Sequence, residues 1–282
     1  MKLFFPLFTA LVLLSCAGEK EHFTTEVLNG YTPVKHQGDS QTCWAYAMLA
    51  AIETEHIMRG DSVNLSIAFV EKMMEQDERA PKSKRAVGMT LINLIQRYGV
   101  VPYDAMPSPD HNPPRLAFMQ GATYTPQEFA RSVCAPDEYI ALGTSSQHPY
   151  YTSYVFDVED NWERIELLNL PADSLLRVTE EAVRARHGVC WEGDTSERGY
   201  DWKHGVARTT LIEGSTTDDH CLAIVGIARD AAGEPFFIMK NSWGTDNAYD
   251  GLLYMSFDYF KRKTLAIYMT RDAFQKKGDT SF

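Results

Sequence analysis

The chain has 282 residues, and no stretch of it is apolar for the 20 or so helical residues that a bilayer core demands; the longest such run, residues 3–14, has 12. Positive charge is scarce, with 27 Lys and Arg against 38 Asp and Glu and a net charge of −11. A surface of that sign repels nucleic acid and anionic lipid, so neither is expected as a partner. The five cysteines, Cys16, Cys43, Cys134, Cys190 and Cys221, include no C-x-x-C pair, and no H-x-x-x-H accompanies them. This argues against structural zinc, and no metal or other cofactor is expected. Internal repeats and low-complexity tracts are also missing, so the chain reads as ordinary globular sequence.

The short apolar run has a use of its own. It follows Lys2 and ends in Leu13-Leu14-Ser15-Cys16, which resembles the lipobox of bacterial lipoproteins. On that resemblance residues 1–15 are a signal peptide, Cys16 is the lipidation site, and a lipid anchor is the only attachment to membrane. The expected location is the cell envelope, on the periplasmic face or the outer-membrane surface. Residues 16–32, polar and broken by Gly and Pro, read as the lipidated tether, with one domain over residues 33–270 and a tail over 271–282.

Within the domain, Trp44, Met48, Ala51, Ile52 and Glu55 recur at helical spacing after Cys43, and Gly60 closes the pattern, so a helix is expected from about 43 to 58. It is apolar on most faces and should be buried. Further helices are expected from Leu65-Ser66 onward and over 89–98, with Gly99 as the stop. Five prolines between 102 and 114 mark residues 100–124 as a long irregular connection. Thr125-Pro126-Gln127-Glu128 has the form of a capping box opening a short helix. One more helix, over 171–187, precedes strands at 189–192, 206–212, 221–227, 235–240, 252–256 and 264–269, with a turn at 230–233. A helical first half and an antiparallel second half predict an α+β fold of two lobes with a cleft between them.

The chemistry starts at Cys43. A helix N-terminus favours thiolate by at most about 2 kcal/mol. Lowering a thiol from about 8.5 to about 4 takes roughly 6 kcal/mol, so an imidazolium must supply the rest, and its ring needs an orienting partner. His220 opens an apolar strand, and the next strand runs through Lys240 into Asn241-Ser242-Trp243-Gly244. Adjacent antiparallel strands can set residues 220 and 241 side by side, with the Asn241 amide oxygen accepting from the imidazole and Trp243 shielding the bond.

Pro33-Val34-Lys35-His36-Gln37-Gly38, Cys43-Trp44-Ala45-Tyr46-Ala47, His220 and Lys240-Asn241-Ser242-Trp243-Gly244 together resemble the papain-like cysteine peptidases, the C1 family, and most closely their bleomycin-hydrolase or aminopeptidase-C branch. The resemblance implies a helical N-terminal lobe and an antiparallel, β-barrel-like C-terminal lobe. It implies a Cys43–His220–Asn241 triad, and an oxyanion hole made by Gln37 and the Cys43 N–H. The histidine and asparagine of the family follow the cysteine by about 130–150 residues; here they follow by 177 and 198, so insertions are implied. Trp44, Gln41, Gly88, Asp219 and Trp243 are the expected substrate-binding residues, with two departures from the family pattern. Gln41 replaces a glycine, and Val87-Gly88-Met89 replaces a glycine pair, which points to altered substrate preference. Asp218 and Asp219 could raise the His220 pKa, and residues 191–194 could line the cleft.

The expected activity is hydrolysis of peptide bonds in peptides or unfolded proteins outside the cytoplasm. Two competing readings are a cell-wall peptide amidase using the same thiolate, and a binding lipoprotein that keeps the fold without turnover. Cys134, Cys190 and Cys221 are expected as reduced core thiols, and the remaining histidines as surface or capping residues.

Overall fold

A computed structural model of the protein describes residues 20–119, 121–209 and 216–275. The expected signal peptide and Cys16 lie outside the described residues. In chain order the elements are β1 (Thr24–Leu28), α1 (Cys43–Met58), α2 (Ile67–Gln76), α3 (Gly88–Tyr98), β2 (Ala117–Met119), β3 (Ala122–Tyr124) and α4 (Pro126–Val133). There follow β4 (Tyr139–Gly143), β5 (Ser153–Val155), β6 (Glu166–Asn169), α5 (Ala172–Arg184), β7 (Val189–Gly193), β8 (Tyr200–Asp201) and β9 (Val206–Ala207). The chain then forms β10 (His220–Arg229), β11 (Pro235–Lys240), β12 (Leu252–Ser256), α6 (Phe257–Lys263), β13 (Thr264–Thr270) and α7 (Arg271–Gln275).

Local chemistry explains the helix ends. The Ser66 hydroxyl accepts from the Phe69 N–H at 3.0 Å at the start of α2, and Thr125 and Glu128 close the expected capping box on α4. The α1 start is different. The Thr42 hydroxyl donates to Glu71 Oε1 at 2.7 Å, so no side chain caps α1, and its first-turn N–H groups keep their pull on negative charge.

One sheet in the order β5-β6-β4-β13-β7-β10-β11-β12-β9-β8, with β1 added on β10, organises the molecule. It is antiparallel except at β4·β6 and β9·β12. Alternation along the central strands sorts side chains to two faces. Cys190, Cys221, Ala266 and Tyr268 join the core under α1, α2, α3 and α4; Val189, Trp191, Leu222, Ile267 and Met269 join the core under α5 and α6. Helices therefore cover both faces of the sheet.

Several expectations need correction. The tether reading of residues 16–32 fails from Thr24 onward: β1 pairs with β10, so the folded unit begins well before residue 33. The 100–124 connection contains the β2–β3 hairpin; of the strand expected over 206–212, residues 206–207 are paired and residues 210–212 lie outside the described residues. Residues 271–275 of the expected tail are helical. Strands β4, β5 and β6 and helix α6 were not anticipated, because they are short and find their periodicity only against neighbours remote in sequence. His56 and His187 are buried rather than superficial. His56 Nε2 meets the Val133 carbonyl at 2.8 Å, and His187 Nδ1 meets Glu55 Oε1 at 3.0 Å.

Candidate active site

Three elements converge on the site. Cys43 is the first residue of α1, His220 the first of β10, and Asn241 follows β11 directly. The β10–β11 hairpin, turned through Asp230 and Gly233, sets the two strand ends together. His220 Nε2 lies 2.8 Å from Asn241 Oδ1. That oxygen also accepts from the Ser242 N–H at 2.7 Å, while Asn241 Nδ2 donates to the Tyr200 hydroxyl at 3.3 Å. The amide is thereby fixed with its oxygen towards the ring, so Nε2 carries the proton and Nδ1 is left for the sulfur. Trp243 stacks on the imidazole at 4.5 Å between centroids, and the Trp202 edge closes on Trp243 at 5.3 Å. Water is kept from the Asn241 bond as a result.

The charges favour an ion pair. The Cys43 thiol is held well below its ordinary value, first by a hydrogen bond from Cys221, then, against burial, by the His220 charge. For His220, burial disfavours the charged ring, but the Cys43 sulfur, the Asn241 bond and Asp219 together raise its pKa. Each group stabilises the ionised form of the other, which is the arrangement an activated thiolate needs.

Gln37 is strapped to the same corner. Its backbone N–H donates to the Ser242 carbonyl at 2.7 Å, and its side-chain oxygen accepts from Ser242 Oγ at 2.6 Å. The amide nitrogen donates one proton to the Ser40 carbonyl at 2.8 Å and keeps its second. Gly244 completes the strap: its φ is +77°, and a Cβ there would stand 2.6 Å from the His36 ring.

Cys43, His220, Gln41, Asp219 and Trp44 line one small cleft. Trp44 itself is 1% exposed and anchored through Nε1 to the Lys84 carbonyl at 3.0 Å, so it supports the site more than it meets a ligand. Gly88 is corrected outright. Its N–H donates to Glu192 Oε2 at 3.0 Å, and a Cβ would meet the Tyr268 ring at 2.5 Å. It is an interior packing glycine, and Arg85 and Ala86 occupy the cleft wall instead. Residues 191–194 are corrected too: Trp191 and Glu192 are wholly buried because β7 lies between β10 and β13 with both faces covered.

Sequence reasoning also missed Arg85, Asp160 and Cys221. Arg85 donates to Asp160 Oδ2 at 2.7 Å and to the Asp218 carbonyl at 3.1 Å. Burial and the neighbouring Asp160 push the Asp218 carboxyl up to about 6. Only Cys221 had a signal available, its position directly after His220.

Known proteins resemble this chain over part of its sequence and in its fold. The papain family cysteine protease sequence model matches residues 174–270, the segment that carries His220 and Asn241. The whole fold is papain-like as well. PepW from Lactobacillus rhamnosis HN001 superposes with a TM-score of 0.67 at 15% identity, over 91% of this chain and 86% of that one. Bromelain from Ananas comosus, in complex with E64, gives 0.52 at 17% identity over 85% and 94%. Among curated relatives, aminopeptidase G of Lactobacillus delbrueckii subsp. lactis is 25% identical over 48% of this chain and 37% of its own length. Ananain of Ananas comosus is 23% identical over 80% and 53%. The papain-like chain thus spans between about a third and a half of the curated relatives it matches.

Proposed function

We propose that this chain is a cysteine peptidase in which Cys43 is the nucleophile, His220 the general acid and base, and Asn241 the orienter of His220. The observation that carries the reading is the imidazole held by Asn241 at 2.8 Å, in one cleft with a cysteine at an uncapped helix N-terminus. The Cys43 sulfur attacks the scissile carbonyl, and the oxyanion accepts hydrogen bonds from the Cys43 N–H and the free proton of the Gln37 amide. His220 protonates the departing amine, leaving a thioester. It then takes a proton from water, whose oxygen attacks the thioester; collapse expels the Cys43 sulfur and releases the acid.

Peptides or unfolded protein outside the cytoplasm are the proposed substrates, and the names of aminopeptidases G and E among the relatives favour trimming from the amino end. Cys16 is proposed as the lipid anchor. Metabolic labelling with a palmitate analogue should mark the full chain and lose the mark in Cys16→Ala; equal labelling of both would refute the anchor.

The deciding experiment uses the domain from Glu19 onward with a fluorogenic peptide library and an epoxide warhead. Stoichiometric labelling at Cys43 and turnover that falls about 10⁵-fold in Cys43→Ala are expected. A folded, reduced protein that neither labels nor hydrolyses would be the binding protein instead.

A further inference from the structure

Beside the proposed nucleophile lies a second thiol whose role is not explained by packing alone. Cys221 is 3% exposed and sits on the α1 side of β10. It lines the cleft that contains Cys43, and also an adjoining cavity walled by Ala47 and Ala50 of α1 and by Ser242. Cys43 and Ala47 are four residues apart and stack on one face of α1. A side chain that borders both spaces therefore lies under the first helical turn, against the nucleophile. Cys190 on β7 stands behind it, since Cys221 pairs with Glu192 and Ala223 with Cys190 in the same ladder.

A sulfur anion in this place has few donors. His220, at the head of β10, approaches from one side and the start of α1 lies on another; Cys221, the next residue of β10, borders the same cleft. We propose that Cys221 is a positioning residue of the site: its thiol stays protonated and donates its S–H to the Cys43 sulfur, holding that sulfur as thiolate. The inference rests on the reading of Cys43 as nucleophile. Burial and the adjacent sulfurs keep the Cys221 thiol far above its ordinary range, so it does not compete for the negative charge, while Cys43 moves the opposite way. The charged or titratable groups facing the pair include His220, Asp218, Asp219, Arg85, Asp160, Glu192, Cys190 and Tyr268, with Lys35, Tyr46 and Lys240 on the adjoining cavity, all of which a change at Cys221 leaves in place.

The test is the pH dependence of iodoacetamide alkylation at Cys43, followed by peptide mass spectrometry, in wild type, Cys221→Ala and Cys221→Ser. A hydrogen bond from a weak thiol donor to a charged acceptor sets the expected size: the midpoint in Cys221→Ala rises by about one pH unit, or tenfold less thiolate on the acid side. The acid limb of kcat/KM moves up with it, and the plateau changes little. Cys221→Ser keeps a donor and should stay within about 0.3 unit of wild type. If the alanine variant does not fold by near-ultraviolet circular dichroism, Cys221→Val provides the same comparison.

A low wild-type midpoint that stays put in Cys221→Ala, or that moves as far in Cys221→Ser, overturns the donor role and leaves the peptidase reading standing. A wild-type midpoint near the ordinary 8.5 overturns the nucleophile reading itself.

Discussion

Cys43 and Cys134 are both cysteines at helix ends, and the two ends treat them in opposite ways. Cys43 opens α1 at the positive end of the helix, and the His220 charge from β10 favours its thiolate. Cys134 is the C-cap of α4, at the carbonyl end, with Glu138 nearby; burial is the larger effect and Glu138 adds to it, and its thiol is pushed up to about 12. Residue type is the same, but Cys43 is partly exposed where Cys134 is buried. What separates the proposed nucleophile from the core thiol is exposure together with the sign of the surrounding partial and full charges.

The contrast can be broken most directly by alkylation at pH 7. Cys43 should be modified within minutes, whereas Cys134, with a thiolate fraction of about 10⁻⁵ at that pH, should label only when the protein unfolds. Equal labelling rates in the native state would remove the distinction. A second, smaller effect isolates the imidazole: Asn241→Ala frees the ring that supplies charge to Cys43, and kcat/KM should fall by about 10² to 10³ without change in the Cys134 midpoint.

Asp218 sharpens the Cys43 side. Its folded pKa of about 6 lies above the ordinary 3.8, so the folded state binds more protons than the unfolded state between those values. The stabilisation from its protonated form is present at low pH and is lost as pH rises through 6. Asp218→Asn should therefore raise stability at pH 7 by on the order of 2 kcal/mol and change it little at pH 4, measured by denaturant unfolding at both pH values. It should also lower the Cys43 midpoint slightly, since a nearby negative charge is removed. The smallest effect tests the Cys134 side. Thr125→Ala removes the cap of α4, with a loss of about 1 kcal/mol, and should speed Cys134 labelling through local opening while the Cys43 midpoint stays fixed.

Much of the frame was legible in residue order. Helix α1 begins at Cys43 and ends at Met58, as its apolar spacing and Gly60 indicate, and Thr125-Pro126-Gln127-Glu128 forms the capping box of α4. These features depend on neighbours within a few residues, so pattern suffices. The 24–28 segment was misread because its polar, exposed side chains resemble a linker; it is a strand only because β10 offers it hydrogen bonds. Gly88 was misread for a related reason. A glycine shows that something approaches closely, and what approaches is Tyr268, 180 residues later in the chain.

Sequence alone determined which residue types were available for the chemistry: one cysteine at the head of an apolar helix, one histidine at the head of a strand, and one asparagine just past the next strand. It could do so because each stands in a short motif whose local geometry is set by nearby residues. Only the tertiary structure decided that Asp218, Asp160 and Arg85 share the cleft, that Glu192 does not, and that Cys221 lies under the first turn of α1. Those placements come from the stacking of β7, β10 and β13 against α1, and contacts between elements so distant in the chain leave no periodicity from which to read them.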